Sequence, residues 1–361
     1  MINFIGQQVL PHFAIDDANA KISPLGNGHI NDTFLVRWPQ GEMVLQRLNT
    51  QVFPDADALV GNATKISDHL LAQASAGQYP LQVVEPVVTA NHDAAIDLGE
   101  QGYWRAISYL RHSASVEVVE TAEQAQQAAR AFGDFAFGLS GLDANQIIDV
   151  IPKFHYFPGR LQQLQAAVDA DSEGRLAECQ HWVDFAFSQT GLISELESLE
   201  PKLPLRICHN DTKINNMLFD DRTMSAMAII DLDTCMKGHL MYDFGDMVRT
   251  FCSPEAEDST ALDKVLARPD IFAAICEGYT QALAPVLTAD ERQSLWLGAR
   301  IMPLMIGVRF LTDHLNGDKY FHVHRENHNL ERAANQFSLY QSLLAQEAQF
   351  KAMLCEHETN S

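Results

Sequence analysis

Paired cysteines, basic clusters and long apolar runs are all missing from this sequence of 361 residues. Its six cysteines, at positions 179, 208, 235, 252, 276 and 355, form no CxxC pair and show no zinc-like spacing. That argues against a disulfide framework or a structural zinc and for reduced thiols. No apolar stretch approaches the about 18 uninterrupted residues of a membrane span. The opening segment MINFIGQQVLPHFAIDD lacks the basic start and long apolar core of a secretion signal, so a cytoplasmic location is expected. Against 47 acidic residues stand only 25 lysines and arginines, a formal charge of -22 that no basic run offsets. Such a surface repels polyanions, which removes nucleic acid and anionic membrane from the expected partners.

The composition that remains, 47% hydrophobic and 20% charged, is that of a globular chain with enough apolar surface for a sizeable core. Its length suits two domains or lobes. From Ile22 to about Tyr109 strand signals dominate. Thr33–Val36 and Met43–Arg47 flank a Pro39-Gln40-Gly41 turn and read as a hairpin. Residues 55–73 place Leu59, Asn62, Ile66 and Leu70 at helical spacing, and apolar stretches follow at 81–89 and 103–110. Beyond Leu110 helical periodicity takes over at 121–139, 159–169, 175–199, 261–285, 290–315 and 329–354, with strands predicted only at 216–219 and 226–232. The expected fold class is therefore α+β, with a small N-terminal β-sheet lobe over residues 1–109 and a larger, mainly helical lobe over 110–361. A crevice between two lobes is a common place for a small ligand.

Polar residues crowd one apolar stretch. His209-Asn210-Asp211-Thr212-Lys213-Ile214-Asn215-Asn216 fits HxDxxxxN and runs into Met217-Leu218-Phe219; after a turn at Asp220-Asp221-Arg222, the run Ala228-Ile229-Ile230 ends in Asp231-Leu232-Asp233. An Asp and an Asn beside a strand can be simple turn and capping chemistry. Two strands folded back on each other would also bring Asp231 near Asn216. Phosphoryl transfer needs that set: a carboxylate to orient a hydroxyl and accept its proton, and oxygen ligands for a divalent cation.

HNDTKINN followed by IIDLD resembles the catalytic loop and metal-binding segment of the aminoglycoside phosphotransferase and choline kinase family, whose fold is similar to that of protein kinases. The resemblance implies a two-lobed protein-kinase-like fold using ATP and Mg2+, with Asp211 as catalytic base, Asn216 and Asp231 as metal ligands, Lys213 against the transferring phosphate and His209 as a brace. Asp233 either assists metal or substrate or caps the next segment of chain. Gly26 and Gly28, in Leu25-Gly26-Asn27-Gly28-His29, would let backbone N–H groups approach phosphates, or form a plain turn. Arg47 stands where related kinases carry a phosphate-binding base, although helix 55–73 offers no glutamate to pair with it. Tyr109 and Leu110 correspond to the hinge that meets adenine. Asp243 and Asp246 match a segment that steadies the catalytic loop.

Further stretches, LQRLNTQVF at 45–53, YWRAISYL at 103–110, IPKFHYFPGR at 151–160, RFLTDHLNGDKYF at 309–321 and RENHNLERA at 325–333, are similar to N-acetylhexosamine 1-kinases of that family. This implies phosphorylation of an anomeric hydroxyl on a small sugar, with His155, Arg160, Arg309, Asp313 and Tyr320 as candidate acceptor contacts. Each has an ordinary alternative: Arg309 and Asp313 are four apart and could form a helical ion pair, and Tyr320 could be core. Another small alcohol, such as an aminoglycoside or choline, is the nearest alternative acceptor, and a non-catalytic binding module the more distant one. The preferred hexosamine and the oligomeric state stay open.

Overall fold

The computed structural model describes residues 1–15, 19–26 and 30–356. The chain starts with α1 (Ile2–Phe4), continues as a π-helical turn and then a 3-10 turn to Phe13, and then forms β1 (Lys21–Pro24), β2 (Asp32–Trp38) and β3 (Gly41–Leu48). After α2 (Ala56–Ser75) come β4 (Pro86–Val87), β5 (Ala95–Asp97) and β6 (Tyr103–Ser108). These strands make one antiparallel sheet in the order β1-β2-β3-β6-β4, with β5 also on β6. Alternation gives its faces different work. Phe34, Val36, Met43, Leu45 and Trp104 point outward and are covered by Ile5, Val9, Leu10 and Phe13 of the N-terminal segment. Thr33, Gln46 and Arg105, directly opposite one another in the register, point to the other face.

The expected hairpin is β2–β3, and the expected helix is α2, whose N-cap Asp55 accepts a hydrogen bond from the Ala58 amide at 2.9 Å. Of the stretch 81–89 only Pro86–Val87 is a strand.

Beyond β6, helices predominate: α3 (Ala122–Gly138), α4 (Phe157–Ala170), α5 (Leu176–Ser188), α6 (Gly191–Leu199), α7 (Leu240–Phe251), α8 (Pro269–Leu283), α9 (Ala289–Leu315), α10 (His328–Ala345) and α11 (Glu347–Glu356). Three expected helices are shorter than their periodicity. The segment 175–199 breaks at Thr190, 329–354 breaks at Gln346, and 261–285 is helical only from Pro269, a residue suited to a first helical turn because its missing N–H would be unpaired there. Five short strands lie among the helices. β7 (Ser113–Ser115), β9 (Met217–Asp220) and β10 (Ala226–Ile229) form one sheet, while β8 (Arg206–Cys208) pairs with β11 (Met236–Gly238). The mixed architecture is the α+β, kinase-like arrangement expected.

α9 is the axis of the helical part. By length and mean hydropathy, 1.3 over its most apolar window, it is the one described helix able to cross a membrane, yet 83% of that window is buried by the protein. It starts with a capping box, Thr288 with Glu291, and it runs against α7 closely enough that glycine is required. A Cβ on Gly298 would stand 2.0 Å from the Met241 carbonyl oxygen, and one on Gly245 would stand 2.2 Å from that of Gly298. This close approach fixes α7, and α7 carries Asp243, which holds the loop at 209–212.

Candidate active site

Between the sheet and the helical part lies a cavity of about 510 Å³. Its floor is built from the loop before β9 and the turn after β10. β9 and β10 pair with Met217 opposite Ile229, and the Ile230 amide donates to the Asn216 carbonyl at 2.9 Å. That pairing brings the two ends of the motif side by side. Asn210 and Asp231 both adopt left-handed backbone, at φ 65° and 61°. Among non-glycine residues, Asn and Asp tolerate this conformation best, and it is one often held at functional sites.

The loop is fastened from below. Asp243 on α7 accepts the His209 and Asn210 amides at 2.9 and 2.7 Å, and the Thr212 hydroxyl donates to the Asp243 carbonyl at 2.7 Å. The His209 ring donates to the Ile230 carbonyl at 3.0 Å and meets Phe132 and Phe135 edge-on. Asp211 is thereby presented to the cleft. Asn216 donates both to its carbonyl and to its carboxylate, at 2.8 and 2.9 Å, and Lys213 Nζ lies 3.1 Å from the same carboxylate. Burial pushes the Asp211 pKa up, but Lys213, His209 and Arg249 outweigh it and hold the group below its ordinary value. It is a ready carboxylate at neutral pH.

Asp231 is different. It is exposed to the open cleft on one side and crowded by protein on the others. This confinement, with Asp233 and Asp211 beside it, pushes its pKa up to about 7. The charges of Asp211 and Asp233 thus act on Asp231, with Lys213 and Arg105 as the cations near it. Asn216 spends its amide hydrogens on Asp211 and keeps its side-chain oxygen. An excess of negative charge and a free neutral oxygen form a donor set that fits a hard divalent cation. Asn216 and Asp231 are the residues that would hold it.

Tyr109 and Leu110 line the cleft at its edge, and Gly26, at φ 71°, lines it from the β1–β2 connection. Gly28 lies outside the described residues. Arg47 does not line the cleft. It shares the outer face with Leu45 and Trp104, and its nearest acid is Asp32 at 3.9 Å. The buried base in the cleft is Arg105, on β6. Its Nε donates to Gln46 at 2.9 Å and one Nη lies 2.5 Å from Asp233. Asn31 donates to the other oxygen of Asp233 at 2.7 Å. Asp233 is therefore ion-paired with Arg105 of β6 and hydrogen-bonded by Asn31, just before β2. Gln46 and Arg105 lie inside the quoted stretches LQRLNTQVF and YWRAISYL, but nothing in the sequence singles out either residue or Asn31. The available signal was alternation: if Leu45 is core, then Gln46, not Arg47, faces the other way.

None of the five acceptor candidates lines the cleft cavity, although the Asp211 charge reaches His155 and Arg309. His155 is buried, stacked on Tyr242 with ring centroids 5.1 Å apart, and burial followed by the nearby Arg309 charge holds its pKa at about 3, so it is neutral. The Arg309 guanidinium lies 5.3–5.7 Å from the ring centres of Phe154, Tyr320 and Phe321. Arg160 donates to the Phe154 carbonyl at 2.8 Å. Burial lowers the pKa of both arginines, and Arg309 further lowers that of Arg160. Asp313 makes no ion pair with Arg309. Its carboxylate accepts the amides of Lys319, Tyr320 and Phe321 at 3.0, 2.8 and 2.9 Å and an amide hydrogen of Asn329 at 2.9 Å. It shapes the loop on which the exposed Tyr320 stands.

Residues 21–303 match the APH phosphotransferase enzyme family. The chain belongs to that family. A curated relative, an uncharacterized kinase-like protein of Caenorhabditis elegans, is 33% identical over 84 residues, 23% of this chain and only 20% of the relative's length. Among solved structures, a microcompartment-associated aminopropanol kinase superposes with a TM-score of 0.57 at 16% identity, covering 96% of this chain and 98% of the other. An amicoumacin kinase in complex with AMP-PNP, Ca2+ and Ami gives 0.59 at 12%, covering 89% and 88%. At such identities the likeness shows the fold: this family member has the kinase-like architecture of both.

Proposed function

We propose that this phosphotransferase is an ATP- and magnesium-dependent kinase that phosphorylates the anomeric hydroxyl of an N-acetylhexosamine to give the sugar 1-phosphate, with lobes meeting at residues 109 and 110. The observation that carries the reading is the convergence of Asp211, Asn216 and Asp231 on the floor of the cleft, under Tyr109 and Leu110. When bound, the divalent cation supplies charge neutralisation between the nucleotide phosphates. Asp211, ionised and held by Asn216, orients the acceptor hydroxyl and takes its proton as the oxygen–phosphorus bond forms. Lys213 places a positive charge at the developing negative charge of the transferring group.

The acceptor side supports a polar, uncharged substrate. Arg160 and Arg309 repel a quaternary ammonium or an aminoglycoside, whereas they and Tyr320 offer donors to sugar oxygens and an aromatic face to a pyranose ring. Purified protein incubated with ATP and magnesium is expected to turn over N-acetylglucosamine or N-acetylgalactosamine and not choline, ethanolamine or kanamycin, with phosphorus NMR placing the phosphate on C1. Turnover of an amino alcohol in place of both sugars would overturn the acceptor assignment while leaving the kinase reading intact.

A further inference from the structure

The cleft holds a basic residue where the strand alternation puts one, but it comes from β6 and not from β3. Arg105 is buried, at 6% exposure, with five N–H donors on a planar fork. Nε is taken by Gln46, its register partner on β3, and one Nη by Asp233. Arg105 itself lines the cavity, together with Gln46 and Asp233. Arg47 has none of these properties. α2 contributes no acid to the cleft lining; the helix meets the cavity through Val60, Ala63, Thr64 and Ser67.

We propose that Arg105 is the residue that binds the nucleotide phosphates, and that Asp233, gripped at 2.5 Å by Arg105 and at 2.7 Å by Asn31, is the positioning residue that orients the fork and ties the sheet to the helical part. The proposal rests on the kinase reading. In this arrangement the acid that steadies the phosphate-binding base belongs to the segment after β10, two residues beyond Asp231, and not to a helix of the sheet lobe. Base, anchor and Asp231 are then set by one turn of chain. A bidentate guanidinium suits phosphate oxygens, and its remaining donors are pre-aimed because the stem is held at both the strand and the fork.

The test separates phosphate from adenine recognition in the full-length protein. Calorimetry is run with adenosine and with ADP plus magnesium on the wild type, Arg105→Ala, Arg105→Lys, Arg47→Ala and Asp233→Asn, with melting curves alongside. Arg105→Ala is expected to weaken ADP binding by about tenfold or more, the size of a lost charged hydrogen bond, with adenosine affinity unchanged. Arg105→Lys, which keeps the charge and loses the fork, is expected to weaken ADP about threefold or more, and it serves if the alanine variant does not fold. Arg47→Ala is expected to leave both affinities within about twofold. For Asp233→Asn, ADP affinity falls and adenosine affinity holds, a split that a general loosening of the cleft would not give. Unchanged ADP binding in both Arg105 variants, or loss of ADP binding in Arg47→Ala instead, overturns the proposal. Equal loss of adenosine and ADP in Arg105→Lys does so too, since Arg105 would then only shape the cleft. A wild-type protein that binds neither ligand removes the kinase reading and the proposal with it, whereas ADP binding by the wild type and by both Arg105 variants alike removes the proposal alone.

Discussion

In the proposed mechanism Asp211 is the residue on which the chemistry turns, and its surroundings divide the consequences of changing it. Asn216 and Lys213 both bind its carboxylate, while Tyr109 and Leu110, the proposed adenine contacts, line the cavity just after β6. Asp211→Asn is therefore expected to cut kcat by about a thousandfold or more while the affinity for ADP changes by less than about twofold. Steady-state kinetics and calorimetry on the same preparation check both halves. Arg309→Ala is expected to raise KM for the proposed sugar about tenfold and leave KM for ATP in place, because the guanidinium sits among Phe154, Tyr320 and Phe321 at the proposed acceptor site. The positions of Asp211, Asn216 and Asp231 were legible because a short motif and one hairpin fix them within a single stretch of chain. Arg105 and Asn31 were not. Their importance comes from Asp233, about 130 and 200 residues away in sequence, and no local pattern encodes such a pairing. Asp313 shows the same limit: spacing suggested a partner in Arg309, but three backbone amides downstream take its carboxylate.

At the scale of elements, periodicity located most helices and failed at their ends. The continuous apolar rhythm of 175–199 and 329–354 conceals breaks that tertiary packing imposes, and strands of three residues such as β7, β8 and β11 are too short to alternate visibly. What joins the helical elements around the site is partly ionic. Glu257, in the loop after α7, accepts from Arg249 of α7 at 2.6 Å and from Arg332 of α10 at 2.7 Å. Burial works to raise its pKa, but the two guanidinium groups prevail and hold it at about 2. Since the folded value lies below the unfolded one, this tie stabilises above the ordinary glutamate range and is lost as pH falls from about 4.5 to about 2. With a third of the side chain open to solvent, Glu257→Gln is expected to cost about 1 kcal/mol at pH 7 and nothing near pH 2, measured by urea unfolding across that range. Asp313→Ala releases the loop carrying Tyr320 and is expected to cost about 2–3 kcal/mol through the unpaired amides. It should also raise KM for the acceptor and not for ATP.

For the molecule as a whole, the charge of -22 and the two arginines of the proposed acceptor site, Arg160 and Arg309, act in opposite directions on a cationic alcohol. The overall field draws such a molecule toward the surface, over a Debye length of about 8 Å at physiological salt. Inside, Arg160 and Arg309 meet it at close range, where the dielectric is lower and screening weak. A neutral sugar feels neither force to first order. Its kcat/KM is therefore expected to vary by less than about twofold between low salt and 0.5 M salt at saturating ATP, once ionic effects on nucleotide binding are removed by saturation. For choline or kanamycin, any residual turnover is expected to decline over the same range, because salt removes the long-range attraction and leaves the short-range repulsion. A salt titration of initial rates for both acceptors distinguishes the cases. A steep fall for the sugar would mean that its recognition depends on surface charge and not on the donors and ring face beside Asp211.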